Sequence, residues 1–316
     1  MDNPLKIGIS RCLQGENVRY DGGHSQDHFL TDTLGLYVSY VPVCPEVECG
    51  MSIPREAMRL MGDSQSPRLV TVRTGEDKTG LMQKWISPKL SALEKENLCG
   101  FIFKKNSPSS GLFKVKVYGE SGIPQKTGVG LFARAFTERF PLIPVEEDGR
   151  LNDPKLREMF IEQIFTMKRW RELLTQPRRL GALVDFHTRH KLLIFSHSQN
   201  QYRAMGKLIA LGKSIPTASL YDLYEKKLMD ALKLATTVKK NVNVLQHMMG
   251  YFKKDLSADE KKEMLEILDQ YAKEEVPLIV PITLLNHYVR KYQQAYLSDQ
   301  VYLNPHPLAL KLRNHA

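Results

Sequence analysis

The chain has 316 residues, 42% of them apolar and 25% charged, with only four cysteines and a formal net charge of +10. That length holds about two domains with separate cores, and the composition excludes a disordered or fibrous chain. The longest apolar run, VPLIVPITLL, falls far short of the roughly 20 residues that span a bilayer and is broken by two prolines, so no transmembrane helix is expected. The first residues, MDNPLKIGISRC, lack the basic start, apolar middle and cleavage site of a signal peptide, and the expectation is a cytoplasmic protein. Cys12, Cys44, Cys49 and Cys99 form no C-x-x-C, which leaves buried thiols or metal ligands rather than a disulfide scaffold or a zinc ribbon.

In chain order, short apolar runs bounded by turn residues predict strands at residues 6–10, 40–43, 69–73 and 100–103. Helices are predicted between and after them, over 26–37, 54–60, 81–96 and 128–140. Strand and helix in alternation predict an α/β domain with a mostly parallel sheet. Residues 146–154, EEDGRLNDP, are polar and turn-rich, and beyond them the pattern turns to long helices. Val242, Leu245, Met249 and Phe252 recur at helical spacing, and Ser257 with Glu260 reads as a capping box opening a helix to about Tyr271. The predicted organisation is an α/β domain over 1–147, a linker and connecting helix over 148–186, and an all-α domain over 187–316.

Charge follows the same division. Residues 1–150 carry 19 Lys and Arg against 18 Asp and Glu, and residues 151–316 carry 26 against 17. A basic helical half admits RNA or another polyanion as a partner, and a solvated basic surface would look the same.

Ligands of open α/β sheets bind beyond the carboxyl ends of the strands, where loops and helix N-termini converge. Three predicted loops reach that edge: SRCLQG with VRYDGGH after the first strand, CPEVECGM with Pro54 and Arg55 after the second, and KKNSPSSG after the strand at 100–103. They bring Cys12, Cys44, Cys49, Glu46, Arg19, Arg55, Ser107 and Ser109 toward one crevice. Arg19 and Arg55 are candidates to orient a substrate carbonyl or phosphate, with pairing to Asp21 or Glu48 as the structural alternative. Ser107 and Ser109 have no partnered histidine in sequence, which argues against a serine hydrolase.

The stretches ISRCLQGENVRYDGG, VCPEVECGMSIPR, VRTGEDKT and KKNSPSSG resemble the thiouracil desulfidase (TudS) family through nearly all of residues 5–145. HTRHKLLIFSHS, YRAMGKL, NVLQHMMGYFKK, VPLIVPITLLNHY and YLNPHPLALKLR resemble the YbgA-type helical domain. The first resemblance implies a 4Fe-4S cluster held by three cysteines, with an open iron that takes sulfur from a thiolated base without net redox change. By that resemblance Cys12 and Cys44 match two ligands, Glu46 matches the catalytic acid/base, and Ser107 lies in the loop facing the substrate.

The chain departs from the family pattern at Ser110, where a cysteine would supply the third thiolate. Serine oxygen is the harder donor, generally a poor replacement at iron-sulfur sites. Cys99 precedes its strand and stands on the order of 20 Å from the carboxyl edge, across six residues of strand at roughly 3.3 Å each. Cys49 shares the loop of Cys44, which makes Cys12, Cys44 and Cys49 the expected ligand set. The expected function is an iron-sulfur non-redox desulfurase acting on a thiolated nucleobase or nucleoside. The rival is a non-catalytic binding protein on the same scaffold, its basic helical domain engaging nucleic acid or a partner protein. His187, His190 and His197 lack a neighbouring cysteine or carboxylate at ligand spacing and read as surface or satisfied core groups.

Overall fold

The structure, a computed structural model, describes residues 4–119 and 122–315. The chain forms two compact units, residues 1–160 and 161–316. In the first, the elements run β1 (Lys6–Ser10), β2 (Ser39–Val43), α1 (Pro45–Glu48), β3 (Met58–Met61), β4 (Arg68–Thr71), α2 (Thr79–Lys95) and β5 (Gly100–Phe103). They continue with β6 (Val115–Tyr118), β7 (Pro124–Gly128), α3 (Leu131–Arg139), β8 (Val145–Glu147) and the start of α4 (Pro154–Leu174).

One sheet has the order β2-β1-β5-β8 and is parallel throughout, so the carboxyl ends of all four strands share one edge. The four residues of β5, GFIF, are all buried, the continuous apolar run expected of an inner strand covered on both faces. Phe101 and Phe103 stack at 4.2 Å and meet Phe132 and Phe136 of α3 edge-on. Gly8 on β1 makes this possible, since a Cβ there would stand 2.1 Å from the Phe101 ring. Helix α2 faces the same core with Met82, Ile86, Leu90 and Leu93, a 3.6-residue stripe.

The alternating parallel architecture expected from the sequence is therefore present, with a second sheet beside it. That sheet, in the order β4-β3-β6-β7, is mixed: β3 pairs antiparallel with β4 and parallel with β6, and β6 pairs antiparallel with β7. Residues 69–73, expected in the parallel sheet, contribute to β4 here. Residues 54–60, expected as a helix, end in strand β3, because Leu60 opposite Leu69 buries both side chains in the shared core. Tertiary burial of that kind overrides a short helical pattern behind a proline. The segment expected as a helix over 26–37 is a π-helical turn, Phe29–Thr33, followed by a 3-10 turn, Leu34–Leu36. Thr31, Thr33 and Gly35 are weak helix formers at its centre.

The second unit is helical: α4 runs into it, followed by α5 (Leu180–His197), α6 (Gln199–Ala210), α7 (Thr217–Leu232), α8 (Val238–Met249), α9 (Ala258–Ala272), α10 (Ile279–Lys291) and α11 (Ala295–Ser298). Both hydrogen bonds of the Ser257–Glu260 capping box are formed at the start of α9. The buried face of α8 is Asn241, Val244, Leu245 and Met248, so the expected stripe is right in period and turned so that Met248 rather than Met249 faces inward. Among the described residues, no helix is long and apolar enough to cross a membrane.

Candidate active site

A crevice of about 430 Å³ opens at the carboxyl edge of the parallel sheet. The turn after β1 brings Cys12 to its wall, the β2–α1 junction brings Cys44 and Glu46, and the loop after β5 brings Lys104, Ser107 and Ser110. Its volume lies in the range of pockets that enclose small organic ligands. The Glu46 carboxylate is the polar centre. Its Oε1 accepts a hydrogen bond from Ser109 Oγ at 2.5 Å, and its Oε2 lies 3.6 Å from Cys44 Sγ and 3.9 Å from Arg55 Nη2. Burial pushes the Cys12 thiol up to about 11 and the Cys44 thiol up to about 12, and the nearby Glu46 carboxylate adds to both. Such thiols are poor nucleophiles on their own, and a coordinated metal would displace their protons.

The serine turn is held rigidly. Ser107 Oγ accepts from the backbone N–H groups of Ser109 and Ser110, and the Gly111 N–H bonds the Ser107 carbonyl at 2.7 Å. The first N–H groups of α3, which have no partner within the helix, bond the carbonyls of this turn: Leu131 to Pro108, and Phe132 and Ala133 to Ser109. Gly130 permits the approach, since a Cβ there would come within 2.5 Å of the Ser109 backbone.

Behind the turn stand three buried acids that the sequence presents as a polar boundary. Asp148 accepts from the Lys105 N–H at 2.7 Å and from Lys104 Nζ at 2.6 Å, and Glu147 accepts from the N–H groups of Leu112 and Phe113. Glu146 pairs with Arg150 at 2.8 Å. The acids at 146 and 147 end β8, and the apolar run Leu142–Val145 before them is the signal that could have marked that strand.

Of the residues expected at the site, the structure brings Cys12, Cys44, Glu46, Arg19, Arg55 and Ser107 to the crevice wall, together with Ser110. Ser109 is fully buried just behind, holding Glu46. Arg19 pairs with Asp21, while Arg55 donates to the carbonyls of Val18 and Ser52 and leaves its buried Nε without a partner. Cys49 is not brought to the wall. It terminates α1, its Sγ lies 3.2 Å from the Glu46 carbonyl oxygen, and it packs in the apolar core with Val43, Phe101 and Phe103. Cys99 is buried before β5, at the opposite edge. No three His, Cys, Asp or Glu side chains form a metal-holding group among the described residues.

Beside the crevice, and sharing Met58, Lys105, Asn106 and Pro108 with it, runs a groove of about 790 Å³. Arg59, Lys105, Lys114, Lys116, Lys126 and Arg150 line it, and Glu147, with its carboxylate bound to backbone N–H groups, is the acid among the lining residues. Arg150 lies over the Phe113 ring at 4.7 Å and Arg59 over Tyr118 at 5.0 Å. The near-zero charge of residues 1–150 conceals this patch, because several of their acids are turned inward. The alternation Lys114-Val115-Lys116-Val117, a half-buried strand with its lysines outward, is the sequence signal for it.

In the helical unit the three histidines are engaged within the fold. His187 Nδ1 meets the Tyr224 hydroxyl at 3.1 Å, His190 Nδ1 the Phe186 carbonyl at 2.8 Å, and His197 lies between the Leu234 carbonyl and Glu162.

Residues 7–148 match the family model described as 2-thiouracil desulfurase, and residues 191–307 match that of a protein of unknown function, DUF1722. The uncharacterized protein YbgA of Escherichia coli (strain K12) is 28% identical over 165 residues, spanning 52% of this chain and 98% of YbgA. The uncharacterized protein YbbK of Bacillus subtilis (strain 168) is 31% identical over 110 residues, spanning 33% of this chain and 72% of YbbK. A solved structure, the [4Fe-4S]-dependent thiouracil desulfidase TudS, aligns at a TM-score of 0.39 and 27% identity over 47% of this chain and 93% of that one. The chain thus belongs to the 2-thiouracil desulfurase family through its first unit, fused to a YbgA-type domain in its second.

Proposed function

We propose that the crevice removes sulfur from a thiolated pyrimidine-type base by hydrolysis, C=S plus water giving C=O plus hydrogen sulfide, with no net redox change. The observation that carries this reading is the meeting of Cys12, Cys44 and Glu46 at one parallel-sheet edge, around a cavity of ligand size. The family match over residues 7–148 supports it.

The donors suit an iron-sulfur cluster at two corners, where Cys12 and Cys44 reach the wall from neighbouring strands. Their high thiol pKa values are those of buried groups that a metal would deprotonate. A cluster held there would supply a Lewis-acidic iron for the leaving sulfur. Glu46 moves protons between the attacking water and the departing sulfide, and Ser109 fixes its carboxylate. Arg55, at the crevice wall beside Glu46, orients the substrate carbonyl position.

The basic groove favours a base that carries phosphate, as a nucleotide or within RNA, over a free base. Six cations beside two aromatic rings suit a backbone of phosphates and stacked bases.

The test is anaerobic reconstitution of the full chain with ferrous iron and sulfide, then incubation with 2- and 4-thiouracil and their nucleotides, following sulfide release and the oxygenated product. Glu46→Gln is expected to lower kcat by roughly 10²–10⁴-fold, the usual contribution of a positioned acid/base. No turnover of any of these compounds, by protein with a full complement of iron, would sink the reading.

A further inference from the structure

We propose that a small pocket in the helical unit, between α10 and residues 303–314, binds a phosphate-type oxyanion, either free phosphate or a small phosphate monoester. The inference is independent of the chemistry at the crevice and requires no iron.

Charge is the first ground. The pocket encloses about 190 Å³ and presents Arg290, Lys311, Arg313, His306, Asn286 and Asn304, and among the described residues its lining holds no Asp or Glu. Arg313 is already engaged, donating to Glu162 at 2.8 Å and to the Tyr302 carbonyl at 2.6 Å. No carboxylate in the lining answers Arg290 or Lys311. Cations gathered on one wall repel one another, and an anion seated among them turns that repulsion into attraction. Size is the second. The volume falls below the roughly 300–1,000 Å³ of pockets that enclose larger organic ligands, which suits a compact ion rather than a nucleoside.

The third ground is a pair of unused nitrogens. His306 lines the pocket, and its Nε2 is buried without a hydrogen-bond partner. Burial, aided by the Arg313 charge, pulls His306 down to about 4, so the ring is neutral at pH 7. A neutral imidazole can carry its proton on Nε2 and donate there. Arg169 of α4 donates through Nη2 to the carbonyl of Pro305, another lining residue, and its own Nη1 is buried without a partner. A buried donor left unmatched costs stability, and guanidinium and phosphate are matched in charge and geometry. A tetrahedral oxyanion offers acceptors on every side and so meets two cations and an imidazole at once, which chloride cannot do.

The experiment is calorimetric titration of the full chain with inorganic phosphate and with glycerol 2-phosphate, against chloride at matched ionic strength. Both phosphates should bind saturably and chloride should not, and the tighter of the two identifies the form the pocket takes. Arg290→Gln combined with Lys311→Gln should weaken that binding by about tenfold or more, as the loss of charge-assisted hydrogen bonds implies. Lys114→Ala with Lys116→Ala, in the basic groove of the first unit, should retain it. Circular dichroism confirms the fold of each variant. Heats no larger than those of chloride, or parental phosphate affinity in the Arg290 and Lys311 variant, overturn the inference. Displacement of bound phosphate by a short oligouridylate lacking terminal phosphates would make the pocket part of an RNA surface and overturn the small-ligand assignment.

Discussion

In the helical unit, Glu162 is enclosed by His197 at 3.2 Å and Arg313 at 2.8 Å, and all three side chains are almost wholly buried. At the crevice, Glu46 is half-buried and accepts from Ser109 Oγ at 2.5 Å, with the Cys44 thiol at 3.6 Å and the Arg55 guanidinium at 3.9 Å beside it. The first arrangement is closed and spends its polar groups on one another. The second lines a cavity with two thiols, a carboxylate and an arginine. The difference separates polar groups saturated inside the fold from polar groups that line a cavity, and composition alone does not distinguish them.

The largest effect that would break this comparison is Glu162→Ala. Removing one member of a buried charged set takes an ion-pair partner from both His197 and Arg313, and the expected cost is about 3–5 kcal/mol of stability, read as a lower urea midpoint. A loss below about 1 kcal/mol would mean the cluster is hydrated and comparable to the crevice.

Acid sharpens the contrast next. Burial pulls His187 down to about 4 and His190 to about 3, against an ordinary value of 6.5. The unfolded chain therefore binds protons that the folded chain refuses. Stability is complete above pH 6.5 and falls as pH drops toward 4 and then 3. Glu162, which burial alone would raise but His197 and Arg313 hold below the usual carboxylate range, adds to the loss below about pH 4.5. Urea midpoints at pH 7, 5.5 and 4.5 should decline in that order, and His190→Gln should flatten the decline.

A smaller effect is expected from Gly130→Ala. The added methyl meets the Ser109 backbone and should cost about 1–3 kcal/mol by overpacking, read as a lower urea midpoint. The smallest is Lys114→Ala with Lys116→Ala. This pair should weaken a phosphate-bearing substrate a few-fold and lower the salt slope of binding by about one unit for each lysine–phosphate pairing removed, leaving a free base unaffected. Equal effects on nucleotide and base would remove the groove from substrate recognition.

The sequence made the parallel sheet, the capping box and most of the crevice legible because each has a local signature: buried runs such as GFIF, Ser257 three residues before Glu260, cysteines at strand ends. What stayed hidden depends on partners distant in the chain. Residues 58–61 form strand β3 because residues 68–71 and 115–118 lie on either side of them. The acids of EED read as linker because nothing in their composition tells that the Lys104 ammonium and the backbone N–H groups of Lys105 and Leu112 turn toward them. Cys49 illustrates the limit at the site: chain proximity to Cys44 suggested a shared role, and of the two only Cys44 lines the crevice, while the Cys49 sulfur lies against the Glu46 carbonyl.

The stitching of the serine turn to the first turn of α3 also bears on the thermodynamics of capture. Its carbonyls and N–H groups are already bound, so a ligand entering the crevice has little backbone freedom to quench there. The ordering cost that mobile binding loops impose, about 0.5–1.5 kcal/mol for each immobilised side chain, is met during folding. Affinity for a small heterocycle then depends chiefly on desolvation and contact, and calorimetry should find an entropy of binding little affected by changes to the turn's exposed neighbours.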